Sequence, residues 1–260
     1  MRIVVHEDSF PERPAYDTAV SRALLMAVGE GRSPAALRLY EPGDAVAFSL
    51  LDRVQPGFRD AVAAARARGF DAVLRLAGGR AAVFTRETLG FAWCIPDPEP
   101  RARVTARFDE IAATIAAALQ RLGVDARVGA VPGEYCPGDH SVNARGESKL
   151  MGVGQRIVRG AAHVGGVIVL GGSSRIRDVL VPVYQRMGFA WDPASVGSLE
   201  DEIGAVSRAA VIDALLAELA KRHELERAPL APGLLAAAEN RESEHRLPGS
   251  GSDGKGTSPS

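Results

Sequence analysis

The stretch Ser141–Leu170, "SVNARGESKLMGVGQRIVRGAAHVGGVIVL", decides the fold. Its first half reads as strand, polar turn, strand, and "AAHVGGVIVL" pairs back as a third extended run that the glycine pair Gly171 and Gly172 ends. Strands joined by such short turns pair antiparallel. Working outward, Val124–Val128 is extended, and Arg101–Leu122 is a long amphipathic helix closed by Gly123. "LGFAWCIP" is an apolar strand, and "FDAVLRLAGGRAAVF" reads as a hairpin broken at Gly78 and Gly79. Pro56–Arg68 is an Ala/Arg-rich helix opened by proline, Ala45–Leu50 is extended, and "EGRSPAALRLY" turns into a strand. Tyr16–Val28 carries Ala19, Ala23, Met26 and Ala27 at helical spacing. On the other side, "GGSSRIRDVLVPVYQRMG" is a helix with a serine N-cap candidate, interrupted by Pro182, and "SLEDEIGAVSRAAVIDALLAELAKRHELE" gives one or two more helices.

Hairpin strands with few, long helices between them predict an α+β fold, a mixed, mainly antiparallel sheet flanked by helices, over a doubly wound parallel sheet. The expected organisation is one main domain over residues 1–225 and a C-terminal extension over 226–260. From about Arg241 the composition turns to Gly, Ser and Pro, and a disordered tail is expected there.

The chain has 260 residues, 46% apolar and 24% charged, enough for a sizeable core. A formal net charge of −1 gives no sequence-independent hold on nucleic acid. The N-terminus lacks a signal-peptide core, and no apolar run approaches membrane-spanning length, so a cytoplasmic protein with no membrane partner is expected. Two cysteines make no disulfide framework, neither stands at zinc-finger spacing from a second Cys or His, and no metal is expected. Nucleotide signatures are missing: Gly152 and Gly154 lack a third glycine, and no GxxxxGK[ST] occurs.

Of 31 basic residues only Lys149, Lys221 and Lys255 are lysines. An interior lysine in an arginine chain points to a position suited to a compact, movable ammonium. Thirteen residues earlier, Cys136 precedes the turn dipeptide Pro137–Gly138, which places it on a loop. Thiols react as thiolates, which a neighbouring ammonium favours. That reading competes with a buried, inert cysteine, the reading given to Cys94 within "FAWCIP". His140 and His163 are rival activators of a thiol. "RLAGGR" at Arg75–Arg80 is either a tight turn or a backbone left bare for a ligand, and Gly152 and Gly154 share one strand face where a slender apolar chain could pass.

In this order, "VGEGRSPAALRLY", "GFDAVLRLAGGRAAVF", "GEYCPGDHSVN" and "KLMGVGQRIVRGAAHVGGVIVL" resemble the biotin/lipoate protein ligase catalytic-domain family. Within it the likeness is to the cysteine-using octanoyltransferases of the type that draws on the glycine cleavage H protein. The resemblance implies a class II aminoacyl-tRNA synthetase/biotin-lipoate ligase-like fold. It implies that Cys136 accepts an octanoyl or lipoyl group, and that Lys149 touches the reacting carbonyl and completes a Cys/Lys pair. It further implies that Arg75, Gly78 and Gly79 line the acyl channel, with Gly152 and Gln155 on the strand beside it. Implied partners are lipoyl-carrier domains, namely the glycine cleavage H protein and 2-oxoacid dehydrogenase E2, with acyl carrier protein as a further donor candidate. No cofactor is required. The alternatives are an ATP- and Mg-dependent lipoate-protein ligase on the same fold, a non-catalytic acyl-binding module, and a thiol hydrolase.

Overall fold

A computed structural model describes residues 1–248. In chain order the elements are β1 (Arg2–His6), α1 (Pro14–Gly29), β2 (Ala35–Tyr40), β3 (Ala45–Phe48), α2 (Leu50–Arg53), α3 (Phe58–Arg66), β4 (Asp71–Leu74), β5 (Ala82–Phe84), β6 (Thr88–Pro96) and α4 (Val104–Arg121). There follow β7 (Ala126–Val128), β8 (Val142–Ala144), β9 (Ser148–Val158), β10 (Ala161–Val169), α5 (Ser173–Met187), α6 (Leu199–Ile203), α7 (Arg208–Leu219), β11 (Glu224–Arg227), α8 (Pro232–Glu239) and α9 (Glu242–His245).

Ser141–Leu170 forms the expected run of antiparallel strands, β8, β9 and β10. It anchors a large sheet in the order β11-β1-β2-β6-β10-β9-β8-β7, in which β1 pairs parallel with β2 and β11 and the remaining ladders are antiparallel. The α+β, mainly antiparallel expectation holds. Period-two alternation explains how the sheet is covered on both faces. Leu37, Leu39, Phe91 and Trp93 point into one core with Ile111, Ile115 and Leu119 of α4 and Leu215 of α7. Ala36 and Cys94 point the other way, against Leu24, Leu25 and Val28 of α1. Cys94 is fully buried, and burial pushes its thiol far up from its ordinary value, so it is core filling.

Three local expectations need correction. Residues 70–84 are not a hairpin: β3 lies between β4 and β5, parallel to the first and antiparallel to the second. The segment Arg75–Ala81 therefore crosses the end of β3 instead of turning back on its own strand. A second core, from Phe48, Val46 and Val83 against Val62 of α3 and Leu180 of α5, rewards that arrangement. The run Ala45–Leu50 breaks at Ser49, whose side chain and that of Asp52 form a reciprocal capping box that starts α2. Gly172, in the left-handed region at φ 65°, stands at the cap of α5 in place of a serine, and the helix runs on through Pro182.

Residues 242–247 are ordered where composition alone suggested a tail. Arg246 bridges Val73 of β4, His245 Nδ1 bonds Leu74 O at 2.8 Å, and Leu247 joins the second core. The Gly/Ser-rich part of the expected tail, residues 249–260, lies outside the described residues. Among the described residues no helix is long and apolar enough to cross a membrane.

Candidate active site

The site begins with a buried ion pair under a loop. Pairing of Val142 with Met151 but of Asn143 with Lys149 leaves Leu150 as an extra residue, a bulge in β9. Bulges re-aim side chains. Lys149 is 1% exposed, and its ammonium donates to Glu134 Oε1 at 3.1 Å, Tyr135 O at 3.0 Å and Cys136 O at 2.8 Å. All three ammonium donors are used. Glu134, also buried, accepts in addition from Ser141 Oγ at 2.7 Å, Gly138 N at 3.0 Å and Val131 N at 3.0 Å. One carboxylate thus ties together both ends of the loop between β7 and β8. Gly152 serves this lysine: a Cβ there would lie 3.3 Å from Lys149 Cε.

Cys136 caps the arrangement in a strained backbone, φ 43°, unusual for a residue with a Cβ. Its own N–H donates to Tyr184 Oη at 2.9 Å, and that hydroxyl donates to Ala81 O at 2.9 Å. The sulfur accepts from the backbone N–H of Arg80 at 3.1 Å and lies 3.8 Å from Arg75 Nη1. Lys149 bonds the carbonyl of Cys136 and makes no hydrogen bond to its sulfur. The two residues lie side by side, the ammonium supports the loop through the Cys136 carbonyl, and the groups at the sulfur come from the Arg75–Arg80 segment.

That role explains the glycines. A Cβ on Gly79, which has φ 104°, would sit 2.9 Å from Cys136 Sγ, so the close approach of backbone to sulfur needs its absence. Arg80 is locked by its own side chain, which stacks 4.3 Å over the Phe189 ring and reaches Leu51 O at 3.4 Å. Gly154 lets the Arg75–Gly78 segment close onto β9, since a Cβ there would lie 3.0 Å from Ala77 Cβ and 3.1 Å from Arg75 Nη2 and Gly78 O.

Two hollows flank the Arg75–Gly79 segment. A cleft of about 580 Å³ is lined by Gly78, Gly79, Cys136, His140, Gly154 and Gln155. Behind it lies a pocket of about 60 Å³, lined by Arg75, Ala77, Phe84, Phe91, His163 and Gly165. Arg75 is common to the sulfur and to the inner pocket. Gln155 lines the cleft, yet both ends of its amide are engaged: Oε1 accepts from Arg107 Nε at 3.0 Å and Nε2 donates to Val104 O at 2.7 Å. It braces α4 against β9. His163 is buried, away from the sulfur, and desolvation lowers its imidazole to about 4, with the Arg75 charge adding to the shift. Its Nδ1 has no hydrogen-bond partner among the described residues. His140 stands on the cleft wall.

The sequence reading missed Glu134 and Tyr184. A signal for the first was available: an acidic residue directly before "YC" in a loop that also holds the partner of an interior lysine. Tyr184 lies 48 residues from Cys136, and nothing local announces it.

Residues 13–220 match the family model described as "Lipoyl protein ligase A/B catalytic domain". The chain belongs to that family. Octanoyl-[GcvH]:protein N-octanoyltransferase of Geobacillus kaustophilus is 28% identical over 179 residues, covering 67% of this chain and 63% of that protein, so the match spans under two thirds of the relative's length. The protein of the same name from Exiguobacterium sibiricum is 24% identical over 216 residues, 79% of this chain and 77% of that one. Among solved structures, lipoate-protein ligase A bound with ATP superposes with a TM-score of 0.76 at 16% identity, covering 94% and 95% of the two chains. A bi-partite lipoate protein ligase from Thermoplasma acidophilum, described with its E2 lipoyl domain, gives 0.70 at 17%, covering 94% and 92%. At such identity these two establish the fold alone, and they agree with the ligase-like fold expected from the sequence.

Proposed function

We propose that the protein is an acyltransferase of protein lipoylation, moving an octanoyl or lipoyl group through a Cys136 acyl-enzyme onto a lysine of a lipoyl-carrier domain. The observation that carries this reading is the Cys136 sulfur, held on a residue at φ 43° against the Arg80 N–H in the wall of an open cleft, with the Arg75 guanidinium of the inner pocket 3.8 Å away. The names of the curated relatives support octanoyl as the group and a GcvH-type carrier as donor.

In the first half-reaction the Cys136 thiolate attacks the acyl carbonyl, an S–C bond forms, and the carrier's N–C bond breaks with its electron pair going to nitrogen. The Arg80 N–H and the Arg75 guanidinium stabilise negative charge on sulfur whenever it is uncovered. The acyl chain lies in the inner pocket beside Arg75 and Ala77, and the carrier's lysine arm occupies the cleft. Lys149 acts by fixing the loop that presents the sulfur. In the second half-reaction an acceptor amine reverses the sequence. Because an amide is exchanged for an amide, no ATP is consumed and no cofactor is needed.

The test is mass spectrometry of the enzyme incubated with an octanoyl thioester. An adduct on Cys136, transfer to a carrier domain without ATP, and loss of both in Cys136→Ser are expected. Full transfer by Cys136→Ser, or dependence on free acid plus ATP, overturns the acyl-enzyme in favour of a ligase.

A further inference from the structure

Transfer between lysine amines requires a proton carrier, and Lys149 is spent on three acceptors beneath the loop. Arg75, at the sulfur, and Arg156, on the cleft wall, are guanidinium groups that offer donors and no acceptor. Among the described residues lining the cleft, one imidazole is present, that of His140. It is positioned from two sides. Phe108 of α4 stacks on the ring with centroids 5.0 Å apart and planes 18° apart, and His140 Nε2 bonds Asp109 Oδ1 at 2.9 Å. With Nε2–H donated to that carboxylate, Nδ1 carries the lone pair, and it takes no hydrogen bond from the described residues. The side chain is 24% exposed, open to the cleft that Cys136 shares.

We infer that His140, oriented by Asp109 and Phe108, is the acid–base residue that moves the amine proton in the cleft. Building on the acyl-enzyme reading, the steps balance as follows. When the carrier amide is cleaved, protonated His140 gives its Nδ1 proton to the departing lysine nitrogen as the S–C bond forms. When the acceptor lysine attacks the thioester, the N–C bond forms, the C–S pair returns to sulfur, and the nitrogen's proton passes to Nδ1. Asp109 holds the tautomer of the neutral ring while the acyl-enzyme stands, and stabilises the imidazolium that precedes the first half-reaction and follows the second.

The experiment compares wild type with His140→Gln and Asp109→Asn, each first charged on Cys136 with an octanoyl thioester. Discharge is then followed to two acceptors, the lysine of an apo glycine cleavage H protein and hydroxylamine, whose nitrogen is already unprotonated at neutral pH. Loss of about 10²-fold or more in discharge to lysine by His140→Gln is expected, with discharge to hydroxylamine within a few fold of wild type and a smaller lysine-specific loss for Asp109→Asn. An equal fall with both acceptors means that the residue only shapes the cleft, and overturns the assignment while leaving the acyl-enzyme standing. Unchanged discharge to lysine overturns it as well. Failure of wild type to form the Cys136 adduct at all removes the acyl-enzyme reading and this assignment with it.

Discussion

Beneath the Cys136 loop, the Lys149 ammonium and the Glu134 carboxylate are filled by protein partners; above it, the sulfur meets one backbone N–H, one guanidinium and open space. The first region is a buried charge network whose members are satisfied, and the second is strained and sparsely contacted. The contrast separates holding from reacting. A fully paired buried ion pair fixes where the backbone goes, and it leaves the Cys136 sulfur free of the lysine side chain that sequence spacing would have assigned to it.

The comparison breaks most severely when one charge is removed from the lower region. Lys149→Met or Glu134→Gln each leaves the opposite charge buried and unpaired, and about 3–5 kcal/mol of folding stability should be lost in denaturant titrations. The double variant Lys149→Met/Glu134→Gln should recover part of that loss, a non-additivity that marks a pair.

His163, behind the inner pocket, gives the next effect. Folded burial keeps its imidazole neutral down to about 4 against an ordinary 6.5, so the unfolded chain binds the proton first as the medium acidifies. The contribution is whole above pH 6.5 and disappears as pH falls toward 4, on the order of 3 kcal/mol in total. Melting curves across that range should show the slope in wild type and a flatter one in His163→Leu.

The smallest expected change in stability belongs to the upper region. Gly79→Ala puts a Cβ 2.9 Å from the sulfur at φ 104° and should cost about 1–2 kcal/mol. Its effect on Cys136 acylation by an octanoyl thioester should be larger in proportion, up to about 10²-fold, because the sulfur itself is displaced. Equal acylation rates would mean that the close approach of backbone and sulfur has no part in reactivity.

Much of this was legible in the sequence for a physical reason. The Ser141–Leu170 strands carry their turns between them, so pairing follows from neighbouring residues. Cys136 announces itself by its Pro–Gly turn, and Lys149 by the arginines around it. What stayed hidden depends on distant pairing. The wedging of β3 between β4 and β5 is set by a core shared with α3 and α5, which overrides the hairpin that "RLAGGR" suggests. Gly152 marks room for Lys149, and Gln155 is a brace, because a β-bulge and the start of α4 lie where strand periodicity cannot see them. The Arg80 N–H points at the sulfur, a fact of backbone direction that residue type does not encode.

The bond from His245 to Leu74 spans 171 residues and closes the edge strand that leads directly into Arg75. A ribosome delivers the strand long before it delivers the strap that pins it. During synthesis the Arg75–Ala81 segment therefore stays unpinned until residues 245 and 246 have emerged, well after the Cys136 loop itself.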